Sequence, residues 1–127
     1  MSVWIDIVSQ AENLRLVIEK HATTSRKAME RAARILTGAA RITYAGVGSG
    51  LNATIPACTY LMARGIPAQY IDATEAAYEL FPGIQGSALV LNTRSGETVE
   101  LAKLADMARR ALTSALDTLG IEVPAKM

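Results

Sequence analysis

Apolar residues near the start of the chain recur every three or four positions. Trp4, Ile7, Val8, Leu14, Val17 and Ile18 share one face of a helix. Residues 22–25 supply candidate caps, and Ala28, Ala32, Ile35 and Leu36 form a second helical stripe that stops near Gly38. Two helices are therefore expected before any strand. Residues 41–46, RITYAG, are then β-branched and aromatic and run straight into the glycines of GVGSG, the pattern of a strand entering a tight turn. Residues 51–64 are helical in pattern until Gly65 and Pro67 interrupt them. Residues 68–71 read as a second strand, after which the cap-like Asp72 and Thr74 open a helix reaching about Leu80. FPGIQG reads as a turn. Residues 87–92, SALVLN, form a nearly continuous apolar run of strand length, and TRSGET leads into a helix expected from about Glu97 past Arg110. In the remaining ALTSALDTLGIEVPAKM the helical pattern ends at Gly120, and residues 121–123 have room for one short strand.

Strand and helix thus alternate. With right-handed crossovers, that alternation predicts an α/β fold of three layers, a parallel sheet covered by helices on both faces. Ligands in such sheets sit outside the carboxyl ends of the strands, near the switch point of the topology. Both Gly/Ser-rich loops, GVGSG and TRSGET, fall at that end.

Composition narrows the ligand class. A chain of 127 residues, half of them apolar, fits one domain with a real core. Thirteen basic against twelve acidic residues leave a net charge of +1, so no basic footprint points to nucleic acid or a membrane surface. The single Cys58 lies in the apolar ATIPACTYLM and reads as a buried thiol in a reducing compartment, which makes a cytoplasmic location the expectation. Asp6 and Glu12 interrupt the first apolar stretch, which argues against a signal peptide, and no run approaches the ~18 apolar residues of a membrane span.

The chemistry lies in the two loops. Gly46, Gly48 and Gly50 let main-chain amides approach an anion without Cβ interference, and the helix that follows adds the positive end of its dipole. Alone, GxGxG also serves dinucleotides or marks a crowded strand-to-helix turn. The second loop carries three hydroxyls, Thr93, Ser95 and Thr98, at a strand end and on the first turn of the next helix, where hydroxyls and free amides coordinate phosphate oxygens well. Arg94 either adds charge or points to solvent. A plain capping box, with Ser95 or Thr98 capping and Glu97 helping, accounts for one hydroxyl but not for three. Glu75, just after the second strand, is the candidate acid/base, against the plainer reading of a solvated first-turn glutamate. His21 reads as a surface histidine. Tyr60, Tyr70, Tyr78 and the methionines read as core or interface filling. No His/Cys/Asp/Glu cluster has metal-ligand spacing, and no cofactor is called for.

VLNTRSGETVELAKLA resembles the Ser/Thr-rich segment of the sugar isomerase (SIS) domain family, a strand followed by S-x-SGET and a helix. GVGSGLNAT is similar to the first loop of that family and IDATEAAYEL to its second strand and following segment, so the likeness covers about residues 41–110 in order. It implies a doubly wound, flavodoxin-like sheet and a phosphosugar site, as in the isomerase half of glucosamine-6-phosphate synthase and in ketose/aldose phosphosugar isomerases. Carried over by position, Thr93, Ser95 and Thr98 fall on the phosphate-binding hydroxyls and Gly48 on the first-loop glycine. Ser49, Gly50, Asn52, Arg94 and Gly96 complete the expected binding set. Two departures stand out. Gly50 occupies a position where many members carry serine, leaving Ser49 as the neighbouring hydroxyl. The family also continues with at least two more strands, whereas too little chain follows Arg110 here to form them.

The expectation is therefore one shortened SIS-type domain over 1–127, or the first part of a longer two-domain protein, with a helical arm at 1–38 and a phosphosugar-binding core at 41–110. The resemblance implies aldose–ketose isomerisation, with or without linked amino transfer; the alternative is a non-catalytic phosphosugar sensor, or a fragment whose one property is folding and self-association. A homodimer or larger homo-oligomer is expected, because residues 87–92 would form an exposed apolar edge and the helix bearing Trp4 and Ile7 has little to cover.

Overall fold

The computed structural model of the chain describes residues 3–120. The chain forms two compact units, Met1–Gly38 and Ala39–Met127.

The first unit is helical. α1 (Val3–Val8) and α2 (Gln10–Ala22) divide the first expected helix at Ser9, and α3 (Arg26–Thr37) follows. Thr23 Oγ1 donates to the Glu19 carbonyl at the end of α2, while Ser25 stands at the N-cap of α3 without a side-chain capping bond. Neither α2 nor α3 contains a buried residue. His21 lies exposed in the last turn of α2.

The second unit is built on three parallel strands, β1 (Ile42–Gly46), β2 (Ala68–Asp72) and β3 (Ala88–Asn92), in the order β2-β1-β3. Ile42 stands level with both Ala68 and Ala88, and Gly46 with Asp72 and Asn92, so all three strands end at one level. α4 (Ser49–Met62) crosses from β1 to β2; α5 (Ala73–Glu75), a π-helical turn (Ala76–Leu80) and α6 (Phe81–Ile84) connect β2 to β3; α7 (Val99–Thr118) follows β3. Side chains alternate across the strands and so separate two faces. On one, Ala45 packs with Ile71, Leu89 and Leu91 against Ala73, Ala76, Ala77, Phe81, Ile84, Leu101 and Leu104 of the helices after β2 and β3. The other, with Ile42 and Tyr44, meets α4, whose buried residues are Thr54 and Cys58. The result is a three-layer α/β fold.

Beneath the first face a polar chain ties the strands together. Gln69 Nε2 donates to Thr43 Oγ1 (3.0 Å), Thr43 Oγ1 to Ser87 Oγ (2.9 Å), and Ser87 Oγ to the Ile84 carbonyl. Thr43 is fully buried, so this relay supplies the partners that a hydroxyl loses on leaving water.

Several expectations need correction. The helix opened by Asp72 does carry a cap, with Asp72 Oδ1 accepting the Thr74 N–H at 2.8 Å, but it widens into a π-turn over Ala76–Leu80. Phe81–Ile84 is a helical turn rather than part of a loop, because Pro82 sits at its start, where a missing N–H costs nothing. Tyr60, Tyr70 and Tyr78 are not core residues; each is about half or more exposed. Two of them support cations, Arg64 over the Tyr60 ring at 3.4 Å and Lys103 over the Tyr78 ring at 3.5 Å. Met29 and Met62 are likewise exposed. α7 ends at Thr118 with Gly120 left-handed (φ 69°), and the expected strand at 121–123 lies outside the described residues. No described helix is long and apolar enough to cross a membrane.

Candidate functional site

Since β1 and β3 are neighbours ending level with each other, the loops that leave them emerge side by side. The first loop is fixed by close approach. A Cβ on Gly46 would lie 2.7 Å from the Leu51 nitrogen and 2.8 Å from the Gly50 carbonyl carbon, distances that main chain cannot yield to. Gly48, the N-cap of α4, adopts φ 54° and ψ −121°, a conformation open to glycine alone among common residues. The Gly50 N–H is taken by the Val47 carbonyl and the Asn52 N–H by that of Gly48. Ser49 and Asn52 are exposed on the first turn of α4, which has no side-chain capping bond.

The second loop folds on its own hydroxyls. Thr93 Oγ1 accepts the Gly96 N–H at 3.0 Å, Ser95 Oγ accepts the Glu97 N–H at 3.1 Å, and Gly96 turns the chain with φ 77°. Thr93 Oγ1 and Thr98 Oγ1 lie 3.2 Å apart. Thr98 is the N-cap of α7 by backbone position, but its hydroxyl caps nothing. The capping box is therefore absent: Ser95 closes a tight turn ahead of the helix, and the helix begins at Val99 rather than Glu97. Arg94 is exposed.

Asn92 joins the two loops. Its Nδ2 donates to the Gly50 carbonyl at 2.8 Å, and a Cβ on Gly50 would lie 3.0 Å from the Asn92 carbonyl oxygen. The glycine at 50 thus has a structural reason, since β3 passes too close for a larger residue without a shift. Asn92 was not singled out in the sequence; its signal is an amide ending an otherwise apolar strand.

The hydroxyls keep donors to spare. A hydroxyl has one proton and two acceptor sites, so Thr93 and Ser95 accept a loop N–H and still carry a proton. Within the Thr93–Thr98 pair one proton is shared between the oxygens and the other points outward. The first amides of α4 and α7 have no intrahelical partner, and the dipole of each helix favours negative charge at that end. Together the loops offer donors, and the carboxylate they contain is the exposed Glu97. Glu75 ends α5, which follows β2 and packs against α7, and no hydrogen bond joins it to either loop. Among the described residues no group of His, Cys, Asp and Glu has the arrangement to hold a metal ion.

Below this end of the sheet, burial raises the Cys58 thiol above its ordinary range, and burial followed by the nearby Cys58 raises Tyr44. Cys58 Sγ contacts Met62 Sδ at 3.8 Å. Packed in this way, the thiol is inert.

No family model matches the chain, and no curated protein matches it significantly. Its fold is similar to that of a Bacteroides fragilis protein of known crystal structure, provisionally assigned as a phosphosugar isomerase involved in capsule formation. The TM-score is 0.61 and the identity 20 %, over 80 % of this chain and 58 % of that one. The chain thus spans rather more than half the length of that structure, and at this identity the likeness concerns the fold.

Proposed function

We propose that the chain binds a phosphorylated sugar, with the phosphate held between the β1–α4 and β3–α7 loops. The observation that carries this reading is the Asn92–Gly50 bond, which fixes two uncapped helix N-termini and a hydroxyl-rich turn at the ends of adjacent strands. In this reading Ser95 and whichever of Thr93 and Thr98 keeps its proton free of their shared hydrogen bond donate to phosphate oxygens, and Gly48, Ser49, Gly50 and Gly96 give the main chain its close approach. Asn52 and Arg94 border the sugar. The similar fold of a protein assigned as a phosphosugar isomerase supports the ligand class.

Turnover asks for more. Aldose–ketose isomerisation moves a proton between neighbouring carbons and requires an acid/base group beside them. The chain's candidate is Glu75, an exposed residue at the end of α5, which packs against α7 but holds Glu75 by no hydrogen bond to the hydroxyl turn. A carboxylate with no hydrogen bond to orient it favours binding without turnover by this chain alone, as in a sensor, over a complete isomerase.

Calorimetric titration with fructose 6-phosphate and glucosamine 6-phosphate tests the proposal. A charge-assisted hydrogen bond contributes about 1.5–3 kcal/mol, so Ser95→Ala should weaken binding roughly ten- to a hundredfold. If Ser95 served the turn alone, the substitution would lower the melting temperature and no sugar phosphate would give heat with either protein.

A further inference from the structure

The proposed site is rich in donors and has an acceptor where its loops meet. Asn92, partly buried at the end of β3, turns Nδ2 to the Gly50 carbonyl at 2.8 Å, and since a carbonyl only accepts, Oδ1 is left over on the same amide. Oδ1 takes part in no hydrogen bond. Among the described residues Arg41 Nε is the side-chain polar atom both buried and unpartnered, so solvent reaches Asn92 Oδ1. The charged side chains around the site are mostly acidic. Exposed Arg94 stands against Glu97 in the same turn and Glu100 on the first turn of α7, while Asp72 ends β2 level with Gly46 and Glu75 follows on α5. Residues 49–52, which open α4, carry no charge. A phosphate ester loses its second proton near pH 6, so around neutrality a dianion exchanges with a monoanion that keeps one P–OH. Donors bind either form. An acceptor among them attracts the P–OH and repels a bare anionic oxygen, and neighbouring carboxylates disfavour the second charge.

We infer that the site takes its phosphate ester as the monoanion, with Asn92 Oδ1 accepting the P–OH proton, and for that reason rejects the sulfate ester of the same sugar. The sulfate has the same single charge and nearly the same shape but no proton to give. An anionic oxygen would then face Oδ1, and a site built around a hydrogen bond rejects an analogue unable to make it far more strongly than a site built on shape. The inference rests on the phosphosugar reading and adds to it the protonation state that is bound.

Calorimetric titration of the full chain with glucose 6-phosphate and glucose 6-sulfate between pH 6 and 8 tests it. The sulfate keeps one charge throughout, so its affinity records whatever Arg94, Glu97, Glu100, Asp72 or Glu75 contribute, and the ratio of the two esters isolates the ligand's own proton. At pH 6 the phosphate should bind at least roughly tenfold more tightly than the sulfate, and its affinity should fall roughly fiftyfold by pH 8 as the monoanion is depleted. Asn92→Leu removes the tie to Gly50 along with the acceptor. Loss of the tie alone weakens both esters alike, whereas loss of the acceptor moves their ratio towards one and flattens the pH dependence of the phosphate. Should that variant fail to fold, the ratio and the pH dependence in the unmodified protein still decide. Equal affinity for the two esters, a phosphate affinity that holds or rises with pH, or a ratio unchanged in Asn92→Leu overturns the inference and leaves the sugar phosphate site standing. No heat with either ester or with fructose 6-phosphate overturns both.

Discussion

The two units use the same kind of residue in opposite ways. In the helical arm large apolar side chains such as Trp4, Leu14 and Ile18 stand in solvent and α2 and α3 bury nothing. In the α/β unit the core is made of small residues, Ala45, Ala73, Ala76 and Ala77, closed by Ile84, Leu101 and Leu104. Hydrophobicity alone therefore does not mark the interior. What separates the units is the sheet: three strands in register give helices two flat faces, and alanines allow close approach to them. The arm has amphipathic stripes and no layer of its own to lay them on.

Paired substitutions can break this comparison. Leu104, with no exposed surface, should cost the α/β unit about 2–5 kcal/mol when cut to Ala, whereas Leu16→Ala, off the arm's main stripe and 47 % exposed, should stay within about 0.5 kcal/mol in urea melts of dilute protein. Similar losses at the two sites would contradict the contrast. Gly46→Ala should come next, at about 1–3 kcal/mol, because the new Cβ meets the Gly50–Leu51 peptide of α4, and it should abolish sugar phosphate binding by displacing that helix start. Retained binding would show that the first loop tolerates movement.

The smallest effect is alkaline. Burial raises the folded Cys58 thiol, so the unfolded chain ionises first. The associated stability is complete below the ordinary thiol pKa of about 8.5 and is lost as pH rises towards the folded value. Melting temperature should therefore fall between about pH 8 and 9.5, below the range where Tyr44 enters, and less steeply in Cys58→Ala. An equal slope in both proteins would place the effect elsewhere.

Much of the α/β unit is legible in its sequence. The β-branched run at 42–46, the apolar run at 88–92 and the glycines between strand and helix reflect local constraints, and those constraints hold in the structure. The cap at Asp72 was legible for the same reason. Features that depend on partners distant in sequence were not. The Asn92–Gly50 bond spans 42 residues, and nothing near either residue announces it. The π-turn at Ala76–Leu80 lets Ala76 and Ala77 reach the core while Tyr78 turns out to meet Lys103, a demand made by α7. The hydroxyls of TRSGET were visible as a group, but their division into turn-holding acceptors and spare donors emerges only with the loop folded. The exposure of the arm was likewise hidden, because a helical stripe looks the same whether or not anything covers it.

The central claim is that the two loops form one anion site, and amide chemical-shift mapping during titration with fructose 6-phosphate tests it most directly. The account predicts saturable shifts concentrated at Gly48, Ser49 and Gly50 together with Ser95, Gly96, Thr98 and Val99, and little change in the arm. Shifts confined to one loop, or scattered with no saturation up to millimolar ligand, would contradict it.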